Sequence, residues 1–439
     1  MKKILFISHF FPPTGGSGVQ RSVKFVKNLP ELGFQPTVIS SYIDNKNKWT
    51  PSDTSLENDV PDFIKVHRLP DNSEFAVPNN FAENPSRTKG IFEIGSSIIA
   101  EEKISLIYVS LSPFGDLSPA IKLAEFFNLP LVADLRDPWA LDEFQSQRSA
   151  YHRRREISRM RSQIARCTHV IMNTPEAANK TLRFFPEIEA KSITWITNGF
   201  DEDDFIKPLS NKELLPKNRY NIIHTGTFHS DYARRQESER YINYLLRKRV
   251  PGLDISGRTP IYLLKAICLL RDEQPHLFEK LNVVFAGIIS QQDKDLIRNQ
   301  GLEPIITATG YLSHDICIEY TRRAEMLFLP LHGLRKGERC SIVPGKTYEY
   351  LASEATILAA TPPGDAKDFV RQRGRCFTCS PRDTNSIHQA LVSSILNWSL
   401  KAELQPIDKE FISHFSREKL SIKLAEILSK AISRNKSNK

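Results

Sequence analysis

Hydrophobic and polar positions in the first half of the chain form short apolar runs that alternate with helix-length amphipathic segments, among them Ser17–Leu32 and Leu117–Phe127. The apolar runs predict buried strands at Ile4–Ser8, Thr37–Ser40, Ile104–Val109, Leu131–Asp134, His169–Met172 and Ile193–Ile196. Strands that are separated by helix-length segments are typical of βαβ units. The pattern therefore predicts a mostly parallel, doubly wound domain over residues 1–205.

A polar stretch over residues 206–219 interrupts this pattern, contains Pro208 and Pro216, and predicts an interdomain linker. Beyond it, strands are predicted at Asn221–His224, Val283–Ala286, Leu327–Leu331 and Thr356–Ala360, and helices at Tyr262–Arg271, Gln292–Gln300, Asp315–Arg323 and Thr347–Ser353. They indicate a second Rossmann-like domain over 220–415. Residues 416–439 are expected to form a terminal helix, Ser416–Ser433, that packs back toward the N-terminal domain, and a disordered tail. The predicted fold class is α/β, with two Rossmann-like domains facing across a cleft.

The charge of the chain favours anionic partners. Its 60 Lys and Arg residues exceed its 51 Asp and Glu residues, and the formal net charge is +9. Such an excess suits nucleotide phosphates, a lipid diphosphate, an anionic membrane surface or a nucleic acid. The sequence contains no recognised nucleic-acid-binding motif, so we expect no nucleic-acid partner.

The cysteines and the apolar runs indicate the cellular compartment in which we expect the protein. Of the 6 cysteines, only Cys376 and Cys379 are closely spaced. A zinc site would need a second pair or nearby histidines, so we expect no metal, reduced cysteines and a cytoplasmic protein. No apolar run approaches the roughly 18 residues of a membrane span. The apolar start ends in Pro12-Pro13, which favours a buried strand over a signal peptide.

A glycine-rich loop with Gly15 and Gly16 follows the first predicted strand and precedes a helix. Glycines there let backbone N–H groups approach a ligand, and a helix N-terminus favours negative charge. The loop lacks both the dinucleotide fingerprint and the Walker lysine. A tight strand-to-helix turn explains the glycines equally well.

A second candidate lies in the helix predicted after Pro344-Gly345, where Lys346 and Glu349 are one turn apart on nearly the same face. A lysine in the first turn opposes the helix dipole, and a bound anion would offset that cost. The pair suits a ligand with phosphate and hydroxyl groups. An ordinary solvated ion pair is the alternative, and it is the preferred one without further evidence.

Other candidates follow predicted strands. Arg136 and Asp137 stand at the carboxyl end of a buried strand, where open α/β sheets bind ligands. A loop-fixing ion pair is the alternative there. Gly226 and Thr227 follow the first strand of the second domain, and Arg258, before the next helix, could bind a diphosphate through two parallel hydrogen bonds.

Two charged segments have simpler explanations. The acidic run Asp201–Asp204 offers oxygen ligands to a hard cation, but such a run is more typical of a solvated loop. The arginine-rich stretch Arg148–Arg166 has an apolar side at helical spacing, which suits an anionic membrane or an acceptor phosphate. A surface helix docked on its own domain is the slightly preferred interpretation.

The order and spacing of these segments resemble the retaining glycosyltransferases of the large family four, which have the two-domain "B" architecture. The resemblance covers nearly the whole chain. It is carried, in order, by FFPPTGGSGVQRSVKFVKNLPELGFQPTVIS, DLRDPWA, ITNGFDEDDF, HTGTF, GRTPIYLLKA, LNVVFAG, TGYLSHDICIEYTRRAEMLFLPL and VPGKTYEYLASEATILAATPPGDA.

The resemblance implies a role for each candidate. Tyr311 lies in the segment that contacts the base, and Glu349 matches the second acid of a paired-glutamate motif, which binds the ribose. Ser341 stands where that motif has its first acid, which would help to hold the sugar. Arg136 and Asp137, the catalytic candidates, stand near a position where many relatives have a histidine. The residues implied to bind the donor are Gly15, Gly16, Gly226, Thr227, Arg258, Tyr311, Lys346 and Glu349.

The function that the resemblance implies is transfer of a sugar, with retention, from a nucleotide-sugar donor to a saccharide or lipid-linked acceptor in cell-surface polysaccharide biosynthesis. Arg258 and Lys346 would replace a metal at the diphosphate, so no cofactor is expected. The protein would be cytoplasmic, with peripheral contact to the inner face of an anionic membrane. The alternatives are a nucleotide-sugar epimerase of the same architecture, a degenerate nucleotide-sugar-binding protein without turnover, and an NAD-dependent oxidoreductase, which the missing fingerprint disfavours.

Overall fold

The computed structural model describes residues 1–15, 17–41, 54–70, 81–144, 147–238 and 252–437. The chain divides into two compact units. The first comprises Met1–Asp142, Tyr151–Gly199 and Phe415–Lys439, and the second comprises Glu143–Ala150 and Phe200–His414. Each unit is thus discontinuous in sequence. The segment 143–150, which the sequence analysis includes in residues 1–205, groups with the second unit.

The first unit is built on a parallel sheet. Its described strands are β1 (Lys2–Ser8), β2 (Phe34–Ser41), β3 (Val66–Leu69), β4 (Ile104–Leu111), β5 (Leu131–Leu135), β6 (His169–Met172) and β7 (Ile193–Trp195). Their order in the sheet is β3-β2-β1-β4-β5-β6-β7. The order reverses between β1 and β4, as in a doubly wound fold. The connecting helices are α1 (Ser17–Asn28), α2 (Pro85–Glu101), α3 (Leu117–Phe126), α4 (Ala150–Ile164) and α5 (Pro175–Phe184).

The second unit repeats this architecture. Its described strands are β8 (Tyr220–Thr225), β9 (Leu281–Ala286), β10 (Ile306–Ala308), β11 (Met326–Pro330), β12 (Thr356–Ala360) and β13 (Cys376–Cys379). They are parallel, in the order β10-β9-β8-β11-β12-β13. The described helices are α6 (Asp203–Ile206), α7 (Ser230–Ser238), α8 (Ile261–Glu273), α9 (Pro275–Phe278), α10 (Gln291–Asn299), α11 (His314–Arg323), α12 (Lys346–Ala352), α13 (Asp365–Arg373), α14 (Thr384–Ser399) and α15 (Lys409–Ser413).

A last helix, α16 (Arg417–Ser437), returns to the first unit. Successive residues of β1 point to opposite faces of the sheet, so its apolar run is buried on both sides. Leu5 and Ile7 join one apolar cluster, with residues of α2 and α3. Ile4 and Phe6 join a second cluster, which contains Leu424 and other residues of α16 together with residues of α1. The terminal helix therefore covers part of one face of this sheet.

Local sequence explains several helix boundaries. Asn84 Oδ1 accepts a hydrogen bond of 3.1 Å from the Arg87 N–H at the start of α2. Thr174 caps α5 in the same way, and in both helices a proline follows the capping residue. Helix α1 ends at Asn28, before the predicted Leu32, because Pro30 and a left-handed Gly33 follow, with a φ of 86° at the glycine.

The predicted fold class is confirmed: both units are parallel-sheet, Rossmann-like α/β structures. The last helix continues to Ser437, beyond the predicted end at Ser433, so the predicted disordered tail is wrong over residues 434–437. The final two residues lie outside the described ranges. No helix within those ranges is both long and apolar enough to cross a membrane.

Candidate functional site

The carboxyl ends of β8 and β11 are neighbours in the second sheet, at the point where the strand order reverses. Open α/β sheets bind their ligands at the carboxyl edge and at such a reversal. Strand β8 ends at Thr225, and the predicted site residues Gly226 and Thr227 follow directly. Both are therefore placed at the position where this fold class forms its binding site.

Lys346, the first residue of α12, reaches the same strand end. Its Nζ donates a hydrogen bond to the Thr225 carbonyl and lies 3.2 Å from His224 Nε2. A Cβ atom at Gly226 would lie 3.1 Å from Lys346 Nζ, and the glycine has a φ of 85°. Glycine therefore suits this position both sterically and conformationally. The structure brings Lys346 and Gly226 into contact.

The ring of His224 acts as an acceptor for this lysine. His224 Nδ1 lies 2.9 Å from the Phe328 carbonyl, which can only accept, so Nδ1 carries the proton. Burial, followed by the charge of Lys346, holds the pKa of His224 well below its usual value, so the ring is neutral. The lone pair of Nε2 consequently faces the ammonium of Lys346. Sequence reasoning missed His224, although its place near the end of a buried strand was a usable signal.

The charge state of Lys346 is set by its surroundings. Burial, together with the nearby charge of Arg258, lowers the pKa of Lys346 to about 7, and the charge of Glu349 opposes this shift. The ammonium is therefore close to losing its proton at neutral pH. A bound anion would favour the charged form and raise the pKa again.

Arg258 is supported by an aromatic ring from a distant part of the sequence. Its guanidinium carbon lies 4.8 Å from the centroid of the Phe144 ring, a cation–π distance. The same ring contacts His229 and Tyr232, at centroid distances of 5.2 and 5.1 Å. Burial and the charge of Arg258 lower the pKa of His229 to about 3, so this histidine is neutral as well. Phe144 and His229 are further residues that the sequence analysis did not single out.

Glu349 and Tyr311 lie in the region of α11. Glu349 Oε1 lies 4.0 Å from His314 Nδ1, and His314 Nε2 lies 3.0 Å from Asp204 Oδ2. Tyr311 is 57% exposed. Lys346 Nζ hydrogen-bonds to the end of β8. Lys346 is therefore not simply one half of a solvated i,i+3 ion pair with Glu349. One member of the predicted acidic run, Asp204, is a partner of His314.

Ser341 contacts a buried carboxylate. The Ser341 N–H donates to Glu143 Oε1 at 2.8 Å, and its hydroxyl donates to Oε2 at 2.7 Å. Glu143, His332 and Cys340 offer ligand atoms within 4.8 Å of one another, all three are buried, and within the described ranges they form the group that could hold a metal ion. The expected absence of a metal stays a prediction.

The first unit holds the other predicted residues. Arg136 Nη1 donates to the Gly18 carbonyl at 2.6 Å, and a Cβ atom at Gly18 would lie 2.6 Å from Arg136 Nη2. Burial lowers the pKa of Arg136, and the charge of the half-buried Asp137 opposes this. Gly15 is buried, whereas Gly16 lies outside the described residues. The structure thus joins Arg136 to the end of the glycine loop.

The ion pair at the end of β5 is formed by Asp134 and Arg21. The Arg21 guanidinium donates two hydrogen bonds, of 2.8 and 2.9 Å, to the Asp134 carboxylate, and the Tyr108 hydroxyl donates to it as well. All three residues are buried. The ion pair at this strand end thus joins β5 to α1 through Arg21, and it is not the pair with Arg136 that the sequence offered as an alternative.

Directly after β1, His9 is another residue that sequence reasoning missed. His9 Nδ1 lies 2.8 Å from the Ser41 hydroxyl, which also accepts a hydrogen bond from Arg87. Arg87 in turn makes two hydrogen bonds, of 2.7 and 2.6 Å, to Asp116. Burial and the charge of Arg87 lower the pKa of His9 well below its usual value, so its ring is neutral. Its position after a buried strand was again the available signal.

The arginine-rich stretch contains α4. Met160 and Ile164 anchor this helix in the core of the first unit, as expected for a docked surface helix. Another face of α4 lines a shallow groove with Tyr151, Arg154, Arg155, Ser158, Arg159 and Ser162. Both interpretations of the stretch are therefore compatible with the structure.

Comparison with known proteins defines the fold. No family model matches the chain, and no curated protein is significantly similar in sequence. A glycosyltransferase from Rickettsia africae ESF-5 is 15% identical, with a TM-score of 0.66 and 98% of each chain covered. HepE from Anabaena, solved with UDP-glucose, is 17% identical, with a TM-score of 0.64 over 98% of this chain and 100% of the other.

An enzyme of another activity is also similar. The UDP-GlcNAc 2-epimerase from Neisseria meningitidis, solved with UDP-GlcNAc, is 11% identical, with a TM-score of 0.55 over 98% of this chain and 100% of the other. At such identities the likeness establishes the fold alone. The chain has the GT-B architecture, with two Rossmann-like α/β domains.

Proposed function

We propose that the chain is a glycosyltransferase that moves a sugar from a nucleotide-sugar donor to a saccharide or lipid-linked acceptor. One observation carries the proposal. The ammonium of Lys346 lies beside Gly226 at the switch point of the second sheet, and the charge of Arg258 acts on it. Two cationic side chains at this edge suit a diphosphate. The fold shared with a glycosyltransferase, and with HepE solved with UDP-glucose, supports the same conclusion.

The chemical task of these cations would be to stabilise the leaving group. A nucleoside diphosphate gains negative charge as the glycosidic bond breaks, and interactions that strengthen with that charge lower the barrier. Lys346, whose pKa lies at about 7, would gain its full charge next to a phosphate. Arg258, held on the Phe144 ring, could offer two parallel N–H donors. The proposal includes no metal ion in this role.

The remaining donor contacts are proposed from the resemblance. Glu349 would bind the ribose, Tyr311 would lie beside the base, and Gly226 and Thr227 would contact the diphosphate through their backbone. Gly15 and Gly16 are proposed as donor-binding residues on the resemblance alone. The second domain is proposed as the donor side and the first as the acceptor side.

The reaction is proposed to retain the anomeric configuration, with Arg136 and Asp137 as the catalytic candidates. Their place at the carboxyl end of β5 supports a role near a ligand. Product analysis by NMR tests retention, because the coupling constant of the anomeric proton distinguishes the two outcomes. An inverted product would contradict this part of the proposal and leave the transferase assignment intact.

We further propose that the protein works in cell-surface polysaccharide biosynthesis, in the cytoplasm and in peripheral contact with an anionic membrane. The groove on α4, with Arg154, Arg155 and Tyr151, supports contact with an anionic surface or an acceptor phosphate. Co-sedimentation with vesicles containing phosphatidylglycerol, compared with pure phosphatidylcholine vesicles, tests this contact. Equal recovery with both kinds of vesicle would contradict it.

A thermal-shift screen with UDP, GDP, ADP and their sugar conjugates tests the central proposal. A ligand that binds the folded state raises the melting temperature, so a selective shift would identify the nucleotide. Transfer of a radiolabelled sugar to membrane extracts would then test turnover. If no nucleotide or nucleotide sugar raises the melting temperature, the proposed function is wrong.

The epimerase fold match supports a second candidate function. An epimerase converts its nucleotide sugar in the absence of any acceptor, whereas a transferase releases the nucleotide and attaches the sugar to another molecule. Incubation with the donor alone, followed by NMR of the sugar, therefore separates the two. A new epimer without free nucleotide would favour the epimerase.

A further inference from the structure

Arg136 differs from Arg21 and Arg87, which are buried in the same unit. The guanidinium groups of Arg21 and Arg87 each make two hydrogen bonds to an aspartate. Within the described ranges, the Arg136 guanidinium has a carbonyl, that of Gly18, as its hydrogen-bond acceptor and no carboxylate partner. Asp137 acts on it through its charge, but burial still lowers the pKa of Arg136. A bound anion would therefore stabilise this cation.

His9 presents a hydrogen-bond donor in a fixed direction. Among the described residues, Arg87 and His9 are the side chains that contact the Ser41 hydroxyl. An arginine can only donate, so the hydroxyl oxygen accepts from Arg87 and the hydroxyl proton goes to His9 Nδ1. The neutral ring then carries its own proton on Nε2, an atom without a hydrogen-bond partner in that part of the chain. Ser41 thus sets the direction of the Nε2–H group.

The two side chains belong to one place in the fold. His9 follows β1, Arg136 follows β5, and β4 lies between these strands in the sheet. Neighbouring strands are about 5 Å apart, so the two strand ends are about 10 Å apart. The centroid of the Phe10 ring lies 4.5 Å from that of the His9 ring and 5.4 Å from the Arg136 guanidinium carbon. The strand order reverses between β1 and β4, which is where this class of fold binds ligands.

We infer that the Nε2–H group of His9 and the guanidinium of Arg136 bind a phosphate group of the acceptor at the carboxyl edge of the first sheet. A phosphate has three terminal oxygens, so it can accept from both side chains. A carboxylate is matched by a single guanidinium, as Arg21 and Asp134 show in this unit. The inference rests on the proposed function only where it calls the ligand the acceptor, because the site itself is argued from the first unit alone.

His169 provides a matched control in the same sheet. Its Nε2 lies 3.1 Å from the Thr194 hydroxyl, and burial lowers its pKa to about 4, so it is also a neutral histidine beside a hydroxyl. It is the first residue of β6 and therefore stands at the amino edge, opposite to the proposed site. His169→Phe consequently reports the effect of replacing a buried histidine in this unit.

The test measures the binding of small anions to the full chain by calorimetry. The probes are α-glucose 1-phosphate as a sugar phosphate, geranyl phosphate as a lipid phosphate and glucuronate as a carboxylate, with glucose and geraniol as uncharged counterparts. The variants are His9→Phe, which keeps a ring, His9→Gln, which keeps an N–H group, Arg136→Gln and His169→Phe. Each is measured with and without Lys346→Met, because Lys346 would attract the same anions to the second unit. Melting temperatures separate loss of binding from loss of folding.

We expect the phosphates to bind more tightly than glucuronate and the uncharged probes. His9→Phe and Arg136→Gln should each weaken phosphate binding by about tenfold, the effect of one charge-assisted hydrogen bond. His9→Gln should bind within about threefold of the wild type, and His169→Phe should match the wild type. The same order should hold in the Lys346→Met background. The tighter of the two phosphates identifies the acceptor as a sugar phosphate or a lipid phosphate.

The ring ¹⁵N spectrum of histidine-labelled protein gives a second measurement, in which the His9 signals are those missing from His9→Gln. We expect the proton on Nε2 and a shift of that signal when a phosphate probe is added. The inference is overturned if Nδ1 carries the proton, if glucuronate binds more tightly than the phosphates, if the folded His9→Phe and Arg136→Gln variants bind phosphate like the wild type, or if the wild type binds no phosphate probe.

The two proposals fail in different ways. If a nucleotide sugar binds but no phosphate probe does, the proposed function stands and the phosphate site is overturned. If the phosphate probes bind through His9 and Arg136 while no nucleotide or nucleotide sugar binds, the proposed function fails, and the site remains a phosphate site without the name of acceptor.

Discussion

Lys346 shows how a single residue links the fold to the proposed chemistry. Its ammonium has two acceptors at the end of β8, the Thr225 carbonyl and the neutral His224 ring, and it lies beside a glycine that leaves room for it. Burial and Arg258 lower its pKa to about 7. The residue is therefore ready to respond to an added negative charge, which a lysine with its usual pKa could not do near neutral pH.

This pKa predicts a pH-dependent affinity for a nucleotide sugar. Binding of the diphosphate favours protonated Lys346, so its pKa in the complex lies above 7 and the protein takes up a proton on binding. Affinity should be constant well below pH 7 and should weaken above it, by up to about tenfold per pH unit. Calorimetry in buffers of different ionisation enthalpy measures the proton uptake. A sugar conjugate is used because its diphosphate does not titrate in this range.

The matched variant for this measurement is Lys346→Met, which keeps much of the side-chain volume and removes the titrating group. It should bind more weakly at pH 6 and show no proton uptake. Proton uptake equal to that of the wild type would assign the titration to another group.

Arg258 is expected to stabilise the diphosphate in the transition state. Arg258→Ala should lower kcat by the equivalent of about 2–4 kcal/mol, because it removes a charge-assisted interaction with the leaving group. Arg298→Ala, at an arginine that is 62% exposed in the same unit, serves as the control. A wild-type rate for Arg258→Ala at saturating donor would remove this residue from the mechanism.

The buried group of Glu143, His332 and Cys340 makes metal dependence a question for experiment. The proposed mechanism predicts that dialysis against EDTA leaves the transfer rate unchanged and that metal analysis finds no stoichiometric zinc. A different result would be loss of activity with EDTA that zinc restores in the wild type but not in Cys340→Ser. That result would show that the reaction needs a metal ion in addition to Lys346 and Arg258.

At the scale of elements, α12 is fixed at both ends. At its start, Lys346 reaches β8. Later in the helix, the Tyr350 hydroxyl accepts a hydrogen bond of 2.8 Å from the Thr225 N–H. At its end, the guanidinium of the fully buried Arg373 donates to the Leu351 and Ser353 carbonyls. Donors at these carbonyls satisfy acceptors that a helix end leaves unpaired. Lys346 and Glu349 therefore stand on a short but firmly held helix.

Arg373 should consequently contribute to the free energy of unfolding. It also donates to the carbonyls of Ala355, Gly374 and Arg375, and burial lowers its pKa to about 10, so it stays charged at neutral pH. Arg373→Lys cannot reproduce this planar set of donors and should cost about 2–4 kcal/mol of the free energy of unfolding in urea. Arg371→Lys, on the exposed side of the same helix, should change it little. Equal effects of the two substitutions would contradict the role of Arg373.

Clear hydrophobic runs made most of the central strands predictable from the sequence. Weak local patterns explain the strands and the helix end that were not predicted correctly. The six strands predicted in the first half agree with β1, β2, β4, β5, β6 and β7 to within a few residues at each end. The strands β3, β10 and β13, which the sequence did not predict, lie at sheet edges and have three or four residues each, although β7, equally short and at an edge, was predicted. Pro30 and Gly33 could have corrected the end of α1, because both interrupt a helix.

The candidate site was only partly predictable for a different reason. Gly226 follows a strand end, Arg258 and Lys346 lie at helix starts, and all three sit in glycine-containing segments, so such positions are visible in the sequence. The contact of Glu143 with Ser341 spans 198 residues of sequence, and no local sequence pattern predicts it. The partner of Asp134 was missed in the same way, because Arg21 comes from α1 rather than from the adjacent Arg136.

At the scale of the whole molecule, the chain crosses between its two units several times. The first unit is completed by Phe415–Lys439, and the second unit takes Glu143–Ala150 from within the first half of the sequence. Leu420, Leu424, Leu428 and Ile432 of α16 belong to the apolar cluster that contains β1 residues. The stability of the first unit therefore depends on a segment that follows the second unit in sequence.

Removal of residues 415–439 should destabilise the first unit selectively. The truncation uncovers apolar side chains on one face of its sheet, and each buried aliphatic side chain contributes about 1.5–3 kcal/mol. Hydrogen exchange should become faster in β1 and β4 and stay slow in β8 and β11. A chain that lacks only residues 436–439 is the control, and unchanged exchange in β1 of the longer truncation would contradict the prediction.

The late position of α16 has a consequence for biosynthesis. As the ribosome makes the chain, the strands of the first unit emerge early, yet the helix that covers Ile4 and Phe6 is translated after all of the second unit. Until α16 has been translated, the nascent first unit presents an uncovered apolar surface, of the kind that chaperones recognise. The protein should therefore need protection by such factors for longer than a chain whose units are completed one after the other.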